Sequence, residues 1–377
     1  MTKTFVKLGD FIEPASIMKC GDFEYPVLSM TMHDGIVLQS EKFKKHIASS
    51  DKSNYKVVKK SQLVVGFPID EGVLYIQNVV DAGIMSPAYN VWNIDSDKIN
   101  PFFLEYCLHS PQAMNFYKNN IRGTTERRRT ITSETLLNLP IPNVSFNKQE
   151  EYVSTLEEIK SLIDLGNKQL ELFDELIKSR FVEMFCNKNL PLISLDDLSL
   201  GKGEYGAQSA AIEYNSNRPR YIRITDINED GTLNDDYTSS ENLTDDEKYK
   251  LSYGDFLFAR IGATVGKTYY YKKGNQIYAG YLIRYKLNIN RIIPVYLFTY
   301  TKLEDYNNWV KLNQRGSSQP GINAKKYGSL LKPTAPINEQ NQFAAFVEEV
   351  EQTKVPLKQS LEWLNTLKNK LMQDYFG

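Results

Sequence analysis

Two stretches of the chain carry apolar residues at a strict seven-residue spacing, with mostly polar residues between them. These positions are Leu156, Ile163, Leu170, Ile177 and Met184 in the first stretch, and Phe343, Val350, Leu357, Leu364 and Leu371 in the second. Heptads sustained over four to five repeats favour a coiled coil. We therefore predict two long coiled-coil helices, at 148–186 and 338–377. Two helices that each pack only on their own domain remain the alternative.

The residues outside these stretches follow a different pattern. Segments such as SQLVVGF and DFLFARIG are short, rich in β-branched and aromatic residues, and interrupted by Gly, Asn and Asp. This pattern is typical of strands joined by turns. It predicts strand-rich globular parts at 1–147 and 187–337, each ending in a proline-containing segment before a long helix.

The chain repeats itself. Four blocks recur in the same order at offsets between 191 and 194 positions, beginning with YKVVKKSQLVVGF at Tyr55 and YKLSYGDFLFARI at Tyr249. RGTT at Arg122 answers RGSS at Arg315, and the helix that contains Gln149 answers the one that contains Gln340. Such an ordered set indicates a duplicated unit of one globular part and one helix.

Composition narrows the class of protein. The 377 residues include 3 Cys and 3 His, too few and too scattered for a disulfide framework or a zinc site. No apolar run reaches the roughly 18 residues that a membrane helix needs, and the first residues lack the pattern of a signal peptide. We expect a cytoplasmic protein without a membrane partner.

The formal net charge of −1 conceals a partition between the predicted parts. The globular parts carry +1 and +4, whereas the helical stretches carry −4 and −2. Charge therefore does not exclude a nucleic-acid partner, but phosphate contacts would have to come from local patches.

Three segments supply candidate DNA contacts. Arginine and hydroxyl side chains can bind phosphate, and arginine can also bind guanine with two hydrogen bonds. The candidates are Arg122, Thr124, Thr125, Arg127, Arg128 and Arg129 in the first loop, Arg315, Ser317, Ser318 and Gln319 in the second, and Arg260, Thr264 and Lys267 in ARIGATVGK. A solvated charge cluster is the alternative for the loops. ARIGATVGK lacks the spacing of a nucleotide-binding loop, and a hairpin that touches the DNA backbone is the favoured interpretation.

A short motif raises the question of enzymatic activity. NPFF at Asn100–Phe103 is similar to the clamp with which amino-methyltransferases hold a flipped base, but its second proline is missing. No glycine-rich cofactor loop follows a strand elsewhere in the sequence. We interpret NPFF as the start of a helix.

The duplicated order of a strand-rich part, an RGSSQPGI-like loop and a helix that opens with NEQ at Asn338 resembles the specificity subunit of Type I restriction-modification systems. The resemblance covers essentially the whole chain. Its single motifs are weak, and the first loop departs from the pattern beyond Gly123 because it lacks Gln-Pro-Gly.

The resemblance implies an α+β fold with two pseudo-symmetric α/β target recognition domains, separated by a pair of long antiparallel coiled-coil helices. Each domain would read one half of a bipartite site in double-stranded DNA. The helices would dock two modification (methyltransferase) subunits, and restriction subunits would complete the complex. S-adenosylmethionine and ATP would be bound only by those partners, so the chain itself would need no cofactor, metal or catalytic residue.

Two other functions remain open from the sequence. The chain could be a self-contained DNA methyltransferase or nuclease with divergent motifs, or a coiled-coil scaffold without a role in DNA binding. The recognised bases do not follow from the sequence, because direct readout depends on where each side chain is placed.

Overall fold

The computed structural model describes residues 4–32, 34–42, 51–121, 129–186, 188–314 and 321–377. Its contacts divide the chain into two compact units. The first unit comprises Met1–Asn167 and Gln359–Gly377, and the second comprises Lys168–Lys358. Each unit therefore contains one globular part and a segment of both long helices.

The first unit contains short strands, four short helices and the beginning of a long one. Its strands are β1 Phe5–Lys7, β2 Ile12–Pro14, β3 Met18–Lys19, β4 Leu28–Thr31, β5 Gly35–Leu38, β6 Lys56–Lys59, β7 Leu63–Val65, β8 Leu74–Ile76, β9 Ala82–Met85, β10 Asn90–Ile94 and β11 Pro140–Pro142. Its helices are α1 Gln39–Lys42, α2 Pro101–Leu108, α3 Pro111–Asn120, α4 Ser133–Leu137 and the beginning of α5 Phe146–Phe181.

The second unit follows the same order. Its strands are β12 Leu192–Ser194, β13 Glu204–Tyr205, β14 Ala211–Glu213, β15 Arg220–Ile222, β16 Thr238–Ser240, β17 Asp255–Ala259, β18 Thr268–Tyr270, β19 Gln276–Tyr278, β20 Leu282–Lys286 and β21 Leu331–Pro333. Its helices are α6 Asp245–Lys248, α7 Pro294–Tyr300, α8 Glu304–Asn313, α9 Ala324–Gly328 and the beginning of α10 Ile337–Phe376.

Both units are built on an antiparallel four-stranded sheet of the same connectivity. The strand order is β2-β10-β7-β8 in the first unit and β13-β20-β17-β18 in the second. A smaller pair, β1-β11 or β12-β21, precedes the long helix in each. The predicted α+β class with two pseudo-symmetric parts is confirmed. The units differ in their additional strands, which form β3-β6-β9 and β4-β5 in the first unit and β14-β16 and β15-β19 in the second.

One buried glutamine at the start of each long helix connects that helix to its globular part. Gln149 accepts a hydrogen bond from the backbone N–H of Asn100 at 2.8 Å, and Gln340 accepts one from Ile293 N–H at 2.9 Å. Each glutamine amide group also donates to a backbone carbonyl five residues earlier. Buried backbone groups need such partners, which explains why glutamine occupies equivalent positions in both repeats.

Aromatic side chains at the end of one long helix complete the core at the start of the other. In the first unit, the ring centre of Phe376 at the end of α10 lies 5.4 Å from that of Phe103. The ring of Tyr375 stacks on Tyr152 of α5, with 3.7 Å between the ring centres. The two helix segments in this unit therefore run antiparallel.

The second unit repeats this cluster with the helices exchanged. The ring centre of Phe185, just after α5, lies 4.9 Å from that of Tyr296. The ring centres of Phe181 and of Phe343 in α10 are 5.3 Å apart. The segments are again antiparallel. Because Phe185 belongs to the first sequence repeat and Phe376 to the second, each repeat supplies the helix end that closes the core of the other unit.

A buried lysine breaks the equivalence of the two cores. Lys332, at the centre of β21, is fully buried, whereas Ile141 stands at the centre of β11. The Lys332 ammonium nitrogen lies 4.3 Å from the ring centre of Tyr296 and has no hydrogen-bond partner in the described part of the chain. Burial lowers the pKa of Lys332 well below its usual range, because the charged form loses its hydration.

We predict that Lys332→Ile stabilises the protein at neutral pH by about 1–3 kcal/mol, since it replaces an unpaired polar group by the residue of the other repeat. At neutral pH the Lys332 side chain is protonated in the unfolded chain, whereas burial disfavours its protonated form in the folded chain. Wild-type stability therefore rises with pH until the ordinary lysine pKa of about 10.4 is reached, and the variant lacks this contribution. Denaturant unfolding at pH 7 and pH 10 should show the advantage of the variant shrinking. If the difference in the free energy of unfolding between variant and wild type did not change with pH, the conclusion that the buried Lys332 is neutral would be wrong.

Candidate nucleic-acid interface

The segment ARIGATVGK forms a turn between two paired strands, as the sequence predicts. β17 and β18 pair antiparallel, with Phe258 opposite Thr268. Gly262 and Gly266 have φ of 71° and 90°, a region that favours glycine. The glycines therefore serve the turn geometry of the predicted hairpin.

Two of the three side chains predicted in this turn, Thr264 and Lys267, are held by partners in or near the turn. The Thr264 hydroxyl donates to the carbonyl of Ile261 at 3.1 Å, which holds the turn. The Lys267 ammonium pairs with Glu229 at 2.8 Å and donates to the carbonyl of Ile227 at 3.3 Å. DNA contacts by Thr264 and Lys267 stay predictions, and any contact by Lys267 must compete with Glu229.

Arg260 lies where four segments of the second unit meet. Its backbone N–H donates to the backbone carbonyl of Tyr281 at 3.1 Å, and its backbone carbonyl accepts from Ile322 N–H at 2.9 Å. Its guanidinium carbon lies 4.9 Å from the ring centre of Tyr205, and Nη1 is 3.4 Å from the carbonyl of Gly280. The half-buried side chain is oriented by a ring and not by a carboxylate.

The contact between Arg260 and Ile322 also locates the end of the second predicted loop. Residues 315–320 lie outside the described residues, but Gly321 forms a bridge with Ile261 beside the hairpin turn. The preceding helix α8 ends at Asn313. The described residues on either side of 315–320 therefore lie at the end of α8 and beside the turn between β17 and β18.

The first unit has the same arrangement. Helix α3 ends at Asn120, and the backbone carbonyl of Arg129 accepts from the N–H of Ile69 at 3.0 Å. Ile69 lies in the turn between β7 and β8, which corresponds to the turn between β17 and β18. In both units the predicted loop thus ends against the equivalent hairpin.

The Arg129 side chain strengthens this connection. Its guanidinium pairs with Asp70 at 2.7 Å and also with Glu71, and the adjacent carboxylates raise the pKa of Arg129 further above its usual range. Only 21% of the side chain is exposed. This geometry suits a residue that fixes the end of the loop, and its predicted DNA contact is untested.

The remaining loop candidates lie outside the described residues. They are Arg122, Thr124, Thr125, Arg127, Arg128, Arg315, Ser317, Ser318 and Gln319. What the structure adds is the surface beside the second loop, which the sequence analysis missed. Tyr205 and Tyr281 are 42% and 54% exposed there, and Lys325 and Lys326 lie on α9 just after the loop. No local sequence signal separates these tyrosines from those of the core.

The heptad positions face inward to different degrees. Leu156, Ile177, Phe343 and Val350 are buried, whereas Ile163, Leu170, Met184, Leu357, Leu364 and Leu371 are half-buried. Their role at a subunit interface remains a prediction. Near Leu170 the pairing includes a charged contact, because Lys354, only 4% exposed, pairs with Asp174 at 2.6 Å.

A second apolar set on the first long helix is exposed. Leu162 and Leu165 are 53% and 64% exposed in the first unit, and Leu172 and Leu176 are 51% and 46% exposed in the second. Exposed leucines at helical spacing within each unit offer surface for a partner helix. The heptad analysis did not select these residues.

The motif NPFF starts a helix, as predicted. The Asn100 side chain accepts hydrogen bonds from the N–H groups of Phe102 and Phe103 at 2.9 and 3.2 Å. Its oxygen thus caps α2. Among the described residues, no cluster of three His, Cys, Asp or Glu side chains could hold a metal, and no helix is long and apolar enough to cross a membrane.

Comparison with solved structures finds the same fold. A chain from a study of complex assembly and conformational transition of the type I R-M system aligns with a TM-score of 0.59 at 15% identity, covering 99% of this chain and 97% of that one. The Type-I restriction-modification system S subunit from M. genitalium aligns with a TM-score of 0.54 at 15% identity, covering 100% and 96%. No protein-family model and no curated protein matches the sequence.

We expect Asp70→Asn and Arg129→Gln to be coupled and each to lower stability, because either change removes the charge-assisted hydrogen bonds between these two side chains. The double variant should be less destabilised than the sum of the single variants. Denaturant unfolding of the four proteins measures this coupling. Additive effects would show that the pair does not hold the loop end.

Proposed function

We propose that this chain is the sequence-specific DNA-recognition subunit of a Type I restriction-modification complex. Each unit reads one half of a bipartite site, with base contacts that supply selectivity and phosphate contacts that supply position. The chain itself is not catalytic. It positions modification and restriction subunits, which bind S-adenosylmethionine and ATP.

One observation carries this proposal. In both units the described residues on either side of the predicted arginine- and hydroxyl-containing loop lie at the same structural positions, one at the end of a helix and the other beside the turn of a hairpin. A duplicated position for a diverged loop is what a reader of two different half-sites requires. The shared fold with restriction-modification chains along nearly their whole length is consistent with this function.

The long helices supply the second half of the proposal. Their inward positions hold the helix pair together, whereas the four exposed leucines of the first long helix lie free for other subunits. We assign the docking of two modification subunits to this surface, one at the leucine pair of each unit.

The alternative is a self-contained methyltransferase or nuclease. The capping role of Asn100 supports the interpretation of NPFF as the start of a helix and not as a methyltransferase clamp. The purified chain should transfer no methyl group from labelled S-adenosylmethionine to DNA, whereas the chain with its modification subunits should methylate adenine at a bipartite site. Methylation by the chain alone would establish the alternative.

The central prediction is that each of the two loops recognises only one half-site. We expect Arg315→Ala or Gln319→Ala to relax recognition in one half-site only, and Arg122→Ala or Arg128→Ala to affect only the other. A lost base contact costs about 1–3 kcal/mol at one position. A lost phosphate contact weakens all sequences alike and lowers the salt slope by about one.

The measurement is binding of the assembled complex to duplexes mutated in one half at a time, at two salt concentrations. The site is first identified by mapping methylated adenines in cells with and without the gene. The variants of the other loop serve as matched controls. If an Arg315 variant changed the preference in both halves equally, with an unchanged salt slope, the model of two independent readers would be wrong.

For the docking surface, Leu165→Ala should leave the stability of the chain within about 0.5 kcal/mol of wild type, because its side chain is exposed. It should nevertheless weaken assembly with the modification subunit. Leu156→Ala, on the same helix but fully buried, should cost about 2–5 kcal/mol of stability. Thermal unfolding of the chain and sedimentation of the mixture measure the two effects. Unchanged assembly of the Leu165 variant would place the docking surface elsewhere.

A further inference from the structure

Arg260 differs from two other basic side chains of the second unit in what surrounds it. Lys267 is paired with Glu229, and Arg223 is paired with Asp226 and Asp236. In the described part of the chain, the Arg260 side chain has only the Tyr205 ring and one long contact to the Gly280 carbonyl. Its charge is therefore not neutralised by a neighbouring carboxylate.

Tyr205 is a fixed platform for this guanidinium. Its backbone lies in β13, opposite Ile283 of β20, and the adjacent Glu204 pairs with Arg284 across the same two strands. Its hydroxyl accepts a hydrogen bond from Ala324 N–H at 3.2 Å, at the first residue of α9. The ring is thus held at both ends, and α9 directly follows the loop flank that contacts Arg260.

A guanidinium that lies over an aromatic ring keeps its N–H groups in the plane of the fork. That geometry suits a planar acceptor pair, and the O6 and N7 atoms of guanine present such a pair in the major groove. A phosphate can also accept two hydrogen bonds from a guanidinium, but it can be approached from many directions and needs no orienting ring. The platform therefore favours base readout over the backbone contact that the sequence suggested for this hairpin.

We propose that Arg260 reads a guanine in the half-site of the second unit and that Tyr205 is its positioning residue. This inference rests on the proposed function. It is specific to one half-site, because the position that follows the equivalent strand of the first unit, after Val65, is Gly66.

The test uses the assembled complex with its modification subunits and duplexes in which each G·C pair of the site is replaced in turn by A·T. Arg260→Lys keeps the charge but removes the planar fork. It should lower the preference for G·C at one position of one half-site by roughly 10- to 100-fold, with an unchanged salt slope. Tyr205→Leu should reduce the same preference, and Tyr205→Phe should largely keep it.

The matched control is Lys273→Ala, which removes one exposed positive charge beyond the far end of β18. It should leave all base preferences unchanged. Thermal unfolding of each variant checks the fold, and Arg260→Lys carries the test alone if Tyr205→Leu is unstable.

Two results would overturn the inference while leaving the proposed function intact. One is a wild-type pattern of base preferences in Arg260→Lys and Arg260→Ala. The other is a uniform loss of affinity and a lower salt slope in Arg260→Ala that Arg260→Lys restores, which would make Arg260 a phosphate contact. If the wild-type complex itself showed no preference in either half-site, the proposed function would be wrong.

Discussion

The structure depends on the exchange of helix ends between the two repeats. Each globular core is closed by an aromatic pair from the long helix of the other repeat, Phe376 and Tyr375 in the first unit and Phe185 and Phe181 in the second. Large buried aromatic side chains dominate the energetics of such cores. Neither repeat therefore contains its own complete core, and each core includes aromatic side chains of the other repeat.

This constraint also explains where the sequence can vary. The buried glutamines, the aromatic clusters and the four-stranded sheet have equivalents in both repeats, because each satisfies the same buried backbone groups or fills the same core. The extra strands and the loop between helix and hairpin differ. A loop whose two ends are anchored to a helix and a hairpin can change its side chains without loss of the fold.

Much of this architecture could be predicted from the sequence, since heptads and an ordered repeat are signals that extend over many residues. The long helices, the turn at Gly262 and the helix start at Asn100 were predicted for this reason. The roles of single charges could not be, because they depend on contacts between distant segments. Arg129 meets Asp70 from 59 positions away, and Arg260 meets Tyr205, which no local pattern separates from a core tyrosine.

The two units share a framework but differ in the charges placed at their hairpins. The first hairpin turn carries Asp70 and Glu71, which take up Arg129 at the end of the loop. The second carries Arg260, which no carboxylate neutralises in the described chain and which Tyr205 orients. Because the same backbone groups are bound in both units, the hairpin turn can carry different side chains. It carries carboxylates that fix the loop end in the first unit, and an arginine that we propose to contact a base in the second. Under the proposed function, this difference would let two copies of one fold read two half-sites of different sequence.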